Sequence, residues 1–337
     1  MAYRIPLSYN PVDIDSFTKV LRSYEGVHHN QIVTDFEIEL AKLTGQANVV
    51  AVNSGTAAIH LALLALGIGP GDVVIAPTFT YVATINPVLY VGAKPVLIDC
   101  EAETWNMDPA LLEKALVSLK KRGILPKSII LVHTYGMPAQ MDEILKIATR
   151  EGIDVIEDAA ESLGATYQNK LTGTMGRIGV YSFNNNKAIT TYGGGALITK
   201  DARVAEKARF FASQAREDRP YYEHRAVGFN YLMSSLNAAM GLSQLPNLLM
   251  KNAERKAVFG RYREVLKNVS SFQPDSESKI SNRWLSTFVF DDVAHKELIL
   301  STLKVNSIEF RPLWKPMHRQ PVFEEFENFT EGRAVDF

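Results

Sequence analysis

The chain of 337 residues sets 36 lysines and arginines against 37 aspartates and glutamates, with 46% hydrophobic and 22% charged residues, an ordinary globular composition with room for about two domains. A net charge of -1 and the lack of any basic block argue against nucleic acid or an anionic membrane surface as partner, while small anionic ligands stay open. The single cysteine, Cys100, excludes an internal disulfide and fits a reducing compartment. It follows closely on Val96-Leu97-Ile98 and reads as a buried structural thiol. The opening MAYRIPLSYNPVDID has no apolar signal core, and the most apolar helical run, Ala57 to Ile68, falls short of the roughly 20 residues a span needs. A cytoplasmic protein with no membrane contact is expected.

In chain order, buried strands are predicted at Val49 to Val52, Val73 to Ala76, Pro95 to Asp99, Ser128 to His133, Asp154 to Ile156, Ile178 to Phe183 and Ala196 to Thr199, all apolar and β-branched. Helical patterns lie between them. Ala57-Ala58 with Leu61, Leu64 and Ala65 forms one, Asp108-Pro109 opens a second through Leu112 and Leu119, and Met141 to Arg150 is a third. This alternation predicts an α/β fold with a mostly parallel central sheet covered on both faces. After Lys200 the pattern changes. Ala205 to Gln214 and Leu236 to Phe259 read as long helices, Ser270 to Ser281 as a loop, and Trp284 to Phe290 with His295 to Val305 as a strand and helix of a smaller α+β unit.

Ligands of open α/β sheets gather beyond the carboxyl ends of the strands. Four segments there carry chemistry. Ser54-Gly55-Thr56, between a strand and an Ala-rich helix, offers free N–H groups and the positive helix end to a phosphate, and equally reads as a simple N-cap. Asp158 and Glu161 flank two alanines after Val155-Ile156, where an acid holds a cationic ligand group or merely caps a helix. Tyr81, after Thr78-Phe79-Thr80, could stack on a ring or pack in the core. Lys187 stands in SFNNNKAITTYGGG (Ser182 to Gly195). As a solvated surface lysine it would be inert; buried, it would lose its proton easily and become a nucleophile able to form a Schiff base. The glycines after it allow a close backbone approach. Phosphate, cationic ring nitrogen, flat ring and aldehyde are together the features of pyridoxal 5'-phosphate. No metal is expected.

The blocks VNSGTAAIHLAL, PTFTYVATINPVLYVGAKPVLID, ETWNMDP, VHTYGMPAQMDEI, VIEDAAESLG, SFNNNKAITTYGGGALIT and GFNYLMSSLNAAMGLSQL, from about Val49 to Leu245, resemble the DegT/DnrJ/EryC1/StrS family of sugar aminotransferases. The resemblance implies the aspartate aminotransferase-like architecture of fold type I. It implies a large cofactor domain over 1–245, which includes an N-terminal helical segment, and a small C-terminal domain over 246–337. The latter is expected to lack the family's last strand–helix segment. It implies Lys187 as the Schiff-base lysine and proton-moving base, with Asp158 at the pyridinium nitrogen and Glu161 beside the ring hydroxyl. Gly55, Thr56 and Ser182 would hold the phosphate, Tyr81 would cover the ring, and Asn230 would reach the phosphate of the neighbouring subunit in a homodimer.

QAREDRPYYEHRAVGFNY and RPLWKPMHRQPVF are similar to the subgroup that aminates UDP-linked 4-keto-6-deoxy-N-acetylhexosamines, the bacillosamine type. That likeness implies Arg216, His224, Arg311, Trp314, Lys315 and His318 as nucleotide-sugar contacts. Glutamate would be the donor, and the cofactor would pass through its pyridoxamine form. Asn185 and Tyr192 stand where the subgroup has Gly and Ser, Leu232 and Ser235 where it has Arg and Asn, and YEGVHHNQIVTDFE lacks the usual Gly-Pro entry loop. Other readings are a dTDP-4-keto-sugar aminotransferase, a non-catalytic pyridoxal phosphate-binding regulatory or scaffold protein, a sugar dehydratase (which would carry histidine in place of Lys187) and a nicotinamide oxidoreductase. The last predicts G-x-G-x-x-G where NSGTAA stands.

Overall fold

The computed structural model describes residues 3–336; Met1, Ala2 and Phe337, at the ends of the two expected ranges, lie outside the described residues. Its centre is an eight-stranded sheet. Strands β1 (Asn48–Val52), β2 (Val73–Pro77), β3 (Lys94–Ile98), β4 (Ser128–Val132), β5 (Asp154–Asp158), β6 (Ile178–Ser182), β7 (Gly195–Thr199) and β8 (Asn328–Phe329) take the spatial order β1-β7-β6-β5-β4-β2-β3-β8. All pairings are parallel except those of β7, which runs antiparallel to both β1 and β6. The seven strands expected before Lys200 are all present, within one or two residues at each end. Their apolar runs are continuous rather than alternating because both faces of the sheet are covered.

The covering helices have local causes. Helix α3 (Gly55–Ala65) starts where Ser54 Oγ accepts the Ala57 N–H at 3.1 Å. It is apolar all round and almost wholly buried against Val74, Val180 and Leu197. On the other face lie α4 (Pro109–Lys121), capped by Asp108 with proline in its first turn, and α5 (Met141–Glu151), ended by left-handed Gly152. Leu112, Leu116 and Ile144 there pack on Ile129 and Leu131. Near the N-terminus, α1 (Ile14–Ser23) and α2 (His29–Thr44) precede the sheet; Phe36 and Leu40 of α2 close over Tyr181 and Phe183.

The second half departs from expectation in three places. The helix expected over Leu236 to Phe259 is broken. Helix α7 (Ser235–Gln244), after α6 (Ala202–Ala212), gives way to a 3₁₀ turn at Leu245–Asn247 before α8 (Leu248–Leu266) begins. Pro246 is the reason, since it lacks the N–H that would continue the ladder. The strand expected over Trp284 to Phe290 shrinks to Val289–Phe290, paired with Ser270–Ser271, ahead of α9 (Val293–Val305). The Ser270 to Ser281 segment also contains Lys279–Ile280, which pairs with Thr166–Tyr167 and ties this unit to the larger one. The proline turn occupies Leu245–Asn247. Beyond it the tail returns to the main sheet: β8 lies parallel to β3, and the Asp99 carboxylate accepts the N–H groups of Glu331, Gly332, Arg333 and Ala334 at 3.0–3.1 Å. No helix among the described residues is long and apolar enough to cross a membrane.

Candidate active site

The carboxyl ends of β1, β2, β4, β5 and β6 open into a cleft of about 2140 Å³ between the sheet and the α8–α9 unit. Gly55, Thr56, Tyr81, Asp158, Glu161, Ser182, Lys187, Arg311, Trp314 and Lys315 all line it. At its floor the start of α3 leaves the Gly55 and Thr56 N–H groups without intrahelical acceptors. A Cβ added at Gly55 would come within 3.1 Å of the Ser182 Cβ. A Cβ at Gly195 would collide with the Ser54–Gly55 peptide, so the last glycine of the triplet lets β7 press on the helix entry. Gly193, by contrast, borders open space in the cleft.

Asp158 ends β5 and is 6% exposed. Its Oδ2 accepts the Thr84 hydroxyl at 2.8 Å and its Oδ1 the Ala160 N–H at 3.1 Å; Thr80 Oγ1 lies 2.7 Å from Thr84 Oγ1. Burial raises its pKa above the usual carboxylate value, and the Thr84 bond opposes the rise. Glu161 accepts the Tyr135 N–H at 2.7 Å. Tyr135 reaches it from a backbone held at φ 55°, followed by Gly136 at φ 88°. A side chain at Gly136 would collide with Asn282, whose amide donates to the Glu161 carbonyl at 2.9 Å. Beneath this turn, His133 Nδ1 accepts the Ala139 N–H at 3.1 Å, so Nε2 carries the hydrogen toward Glu157 Oε2 at 3.0 Å, both side chains being fully buried.

Lys187 projects into the cleft with its side chain 12% exposed. Its Nζ stands 3.7 Å from Glu161 Oε1 and 3.8 Å from the centre of the Trp284 ring. Burial lowers the amine below its ordinary value, Glu161 and Asp158 resist the fall and Arg255 adds to it. Burial pushes the Glu161 carboxyl up to about 7, the amine drawing it part of the way back. From Trp284 a run of rings continues: Tyr135 stacks at 6.2 Å, Trp314 at 4.4 Å from Tyr135, and Tyr81 at 5.7 Å from Trp314. Thr84, Trp284, Asn10 and Arg255 are site residues that sequence reasoning did not single out. Tyr135 carried a signal, its place in the Thr134-Tyr135-Gly136 segment that follows the end of β4.

Arg311 apart, the remaining expected residues lie outside the cleft lining. Arg216 and His224 face each other across an exposed hairpin and, with Tyr222, line a separate hollow of about 620 Å³. Asn230 is exposed at the base of that hairpin, its carbonyl taken by the Asn53 amide at 3.2 Å. His318 is behind the cleft wall, its Nδ1 2.6 Å from the Thr78 hydroxyl. Arg311 lines the cleft but is paired with Glu309 at 2.6 Å. Cys100 is fully buried, and burial pushes its thiol up, as a structural cysteine requires.

The model of the DegT/DnrJ/EryC1/StrS aminotransferase family matches residues 10–335. The chain belongs to this family. EpsN of Bacillus subtilis (strain 168), described as a pyridoxal phosphate-dependent aminotransferase, is 48% identical over 87% of this chain and 76% of its own length. The GDP-perosamine synthase of Caulobacter vibrioides is 39% identical over 87% of this chain and 79% of its own. A protein of Streptococcus pneumoniae described as a sugar aminotransferase superposes in its PLP-form with a TM-score of 0.86 over 96% of this chain and 89% of its own, at 25% identity; it has also been solved in its PMP-form. This member of the family therefore has the fold-type I architecture, and its cofactor is pyridoxal 5'-phosphate. The cleft fits that group: a bare helix start apposed to Ser182, a buried acid at Asp158 and a buried amine at Lys187 stand within one cavity.

Glu161 makes the cofactor-free protein sensitive to pH. The folded state keeps its proton up to about pH 7, whereas an unfolded glutamate releases it near 4.5. The folded state therefore binds more protons in that window, and this contribution to stability, complete below about 4.5, is lost as pH rises toward 7. Glu161→Gln keeps the neutral form throughout. Its melting temperature, compared with that of the parent protein, should rise steadily between pH 5 and 7 and then level off. Thermal melts of both cofactor-free proteins across pH 5–8 read this; a difference that does not vary with pH rejects the assignment.

Proposed function

We propose that the protein transfers the amino group of glutamate to C4 of a nucleotide-linked 4-keto-6-deoxy sugar, with a UDP-linked N-acetylhexosamine as acceptor and Lys187 as the catalytic lysine. The observation that carries the reading is the Lys187 amine, buried between Glu161 and Trp284 in the cleft that also holds Asp158. Bound there, pyridoxal phosphate supplies an aldehyde for an amine to capture and a cationic ring that draws electrons from the bond being broken.

The chain's residues do the rest. Gly55, Thr56 and Ser182 would hold the phosphate on the helix start, where N–H groups and dipole favour an anion. Asp158, held by Thr84 and Ala160, keeps the ring nitrogen protonated. Lys187, its proton loosened by burial, moves a proton between substrate carbon and solvent, as a base and then as an acid. Glu161 is its partner at 3.7 Å and would serve the ring hydroxyl, and Tyr81 would cover the ring. Trp314, Lys315 and Arg311 face the open half of the cleft, where we place the sugar nucleotide; His318 supports that wall through Thr78. The hairpin with Arg216 and His224, together with Asn230, we assign to the cleft of a second copy in a homodimer. Its exposed Tyr221, Tyr222 and Val227 suit a covered surface.

The likeness to a GDP-perosamine synthase favours a second reading, a GDP-linked 4-keto-6-deoxyhexose, which differs in the nucleotide and at C2. The deciding experiment supplies glutamate with UDP-4-keto-6-deoxy-HexNAc, GDP-4-keto-6-deoxymannose or dTDP-4-keto-6-deoxyglucose and follows 2-oxoglutarate. A kcat/KM at least about tenfold higher for the UDP sugar is expected, a difference of about 1.4 kcal/mol in transition-state binding. Preference for either other nucleotide moves the assignment to it. Turnover with none of the three, from protein that has bound pyridoxal phosphate, supports the non-catalytic regulatory reading.

A further inference from the structure

The segment that carries Lys187 has no regular secondary structure, yet its backbone is held on three sides. The carbonyls of three successive residues are all taken by groups from distant parts of the chain. Asn185 O accepts from the Asn10 amide at 3.4 Å. Asn186 O accepts from the Ser8 hydroxyl at 3.3 Å and the Trp284 indole N–H at 2.9 Å. Lys187 O accepts from the Asn10 amide and from Arg255 Nη2, the latter at 3.4 Å. The Arg255 fork joins these pieces: Nη2 also donates to Asn10 Oδ1 at 2.8 Å, and Nη1 to the Trp284 carbonyl at 2.8 Å. All three of these acceptors are neutral oxygens. A charged guanidinium is thus spent on backbone and amide oxygens around one lysine rather than on a carboxylate.

We propose that Arg255, acting with Asn10, is a positioning residue that locks the Lys187 backbone and the Trp284 indole to each other and so sets where the lysine amine stands in the cleft. A planar fork can serve acceptors in two directions at fixed separation, which an ammonium cannot. The two elements it joins are the ones that flank the amine, since the Trp284 ring lies 3.8 Å from Nζ. Asn10 completes the junction by donating to the same carbonyl that Arg255 reaches and accepting from Arg255 itself. Glu161 and Asp158 face the amine from the sheet side with charge of opposite sign, and Arg255 is the cation behind it. The inference rests on Lys187 as the reacting amine, not on the identity of the sugar.

The test uses the full chain, first free of cofactor and then loaded with pyridoxal 5'-phosphate, with Arg255→Lys, Arg255→Met and Asn10→Ala compared with the parent. In cofactor-free protein, acetic anhydride labelling at pH 8 is read at the Lys187 peptide by mass spectrometry. In loaded protein, the half-reaction with glutamate is followed by absorbance. Arg255→Met, which removes a neighbouring cation and so favours the protonated amine, should slow labelling about threefold. Arg255→Lys, which keeps the charge and loses the fork, should label within twofold of the parent yet run the half-reaction about tenfold more slowly. Asn10→Ala combined with Arg255→Lys should lose less than the product of the single losses, because both serve one carbonyl. A half-reaction rate in Arg255→Lys within twofold of the parent, or multiplying losses, overturns the proposal. If Arg255→Met does not fold, the other two variants still decide it. Neither readout involves a sugar, so an error in the acceptor assigned above leaves this result untouched.

Discussion

Lys187→Ala is expected to reduce transamination by at least about a thousandfold, the largest effect of any single substitution in this protein. Under the proposed assignment two functions would end together: the covalent hold on the cofactor, and the amine assigned to move the proton. General acid–base catalysis alone contributes about a hundred- to ten-thousandfold. The fold should survive, because alanine removes a buried amine whose burial works against its charge, and the backbone partners of residue 187 are carbonyl bonds that alanine keeps. Reduction of the loaded parent protein with borohydride should leave the cofactor label on the peptide that contains Lys187, and the variant should carry none. A label on another lysine, or a variant that still forms 2-oxoglutarate at more than a few per cent of the parent rate, removes Lys187 from its assigned place. Arginine at the same position should not rescue, since it stays protonated at every working pH.

Asp158→Asn is expected to lower kcat by about a hundredfold or more while leaving the cofactor-free fold intact or slightly more stable. The carboxylate is buried and its pKa is raised, so its negative charge costs stability until a cation arrives to face it. Asparagine keeps the shape and one acceptor. The Thr84 hydroxyl, which donates to Asp158 Oδ2, can turn to accept from the new amide because Thr80 lies close enough to take its hydrogen. What the amide cannot do is hold a cationic ring nitrogen, and loss of one preorganised electrostatic partner typically costs a hundred- to a thousandfold. The checks are kcat with glutamate and a thermal melt of the cofactor-free chain. A large drop in melting temperature would mean that Asp158 is mainly structural; near-normal kcat would mean that the ring is held elsewhere.

Both predictions depend on residues that the amino-acid sequence makes legible. Lys187, Asp158, Glu161 and the Ser54–Thr56 junction stand at or shortly beyond strand ends, and strands are read from a local apolar pattern that burial on both faces makes continuous. Chain order places those strand ends in one crevice, so the residues that follow them meet. The blocks from about Val49 to Leu245 identified the family for the same reason: each is a contiguous run around such a strand end. The substrate side was less legible. Trp314, Lys315 and Arg311 reached the cleft, whereas Arg216 and His224 are on a hairpin outside it. An Arg or His in a loop carries no periodic signal that says toward which cavity, or toward which copy of the chain, it faces.

By itself, the amino-acid sequence determined the sheet, the crevice at its carboxyl edge, and the amine and acids that stand there, because each follows from patterns a few residues long. Only the tertiary structure decided what surrounds that amine. Trp284 lies under Lys187, Arg255 and Asn10 meet at its carbonyl, and Thr84 binds Asp158, contacts between positions as many as 245 residues apart. It also decided that the tail adds β8 to the far edge of the main sheet. None of these has a local signature. Each exists because buried polar groups must find partners once the chain is packed, and which partners come within reach is settled by the packing of whole elements.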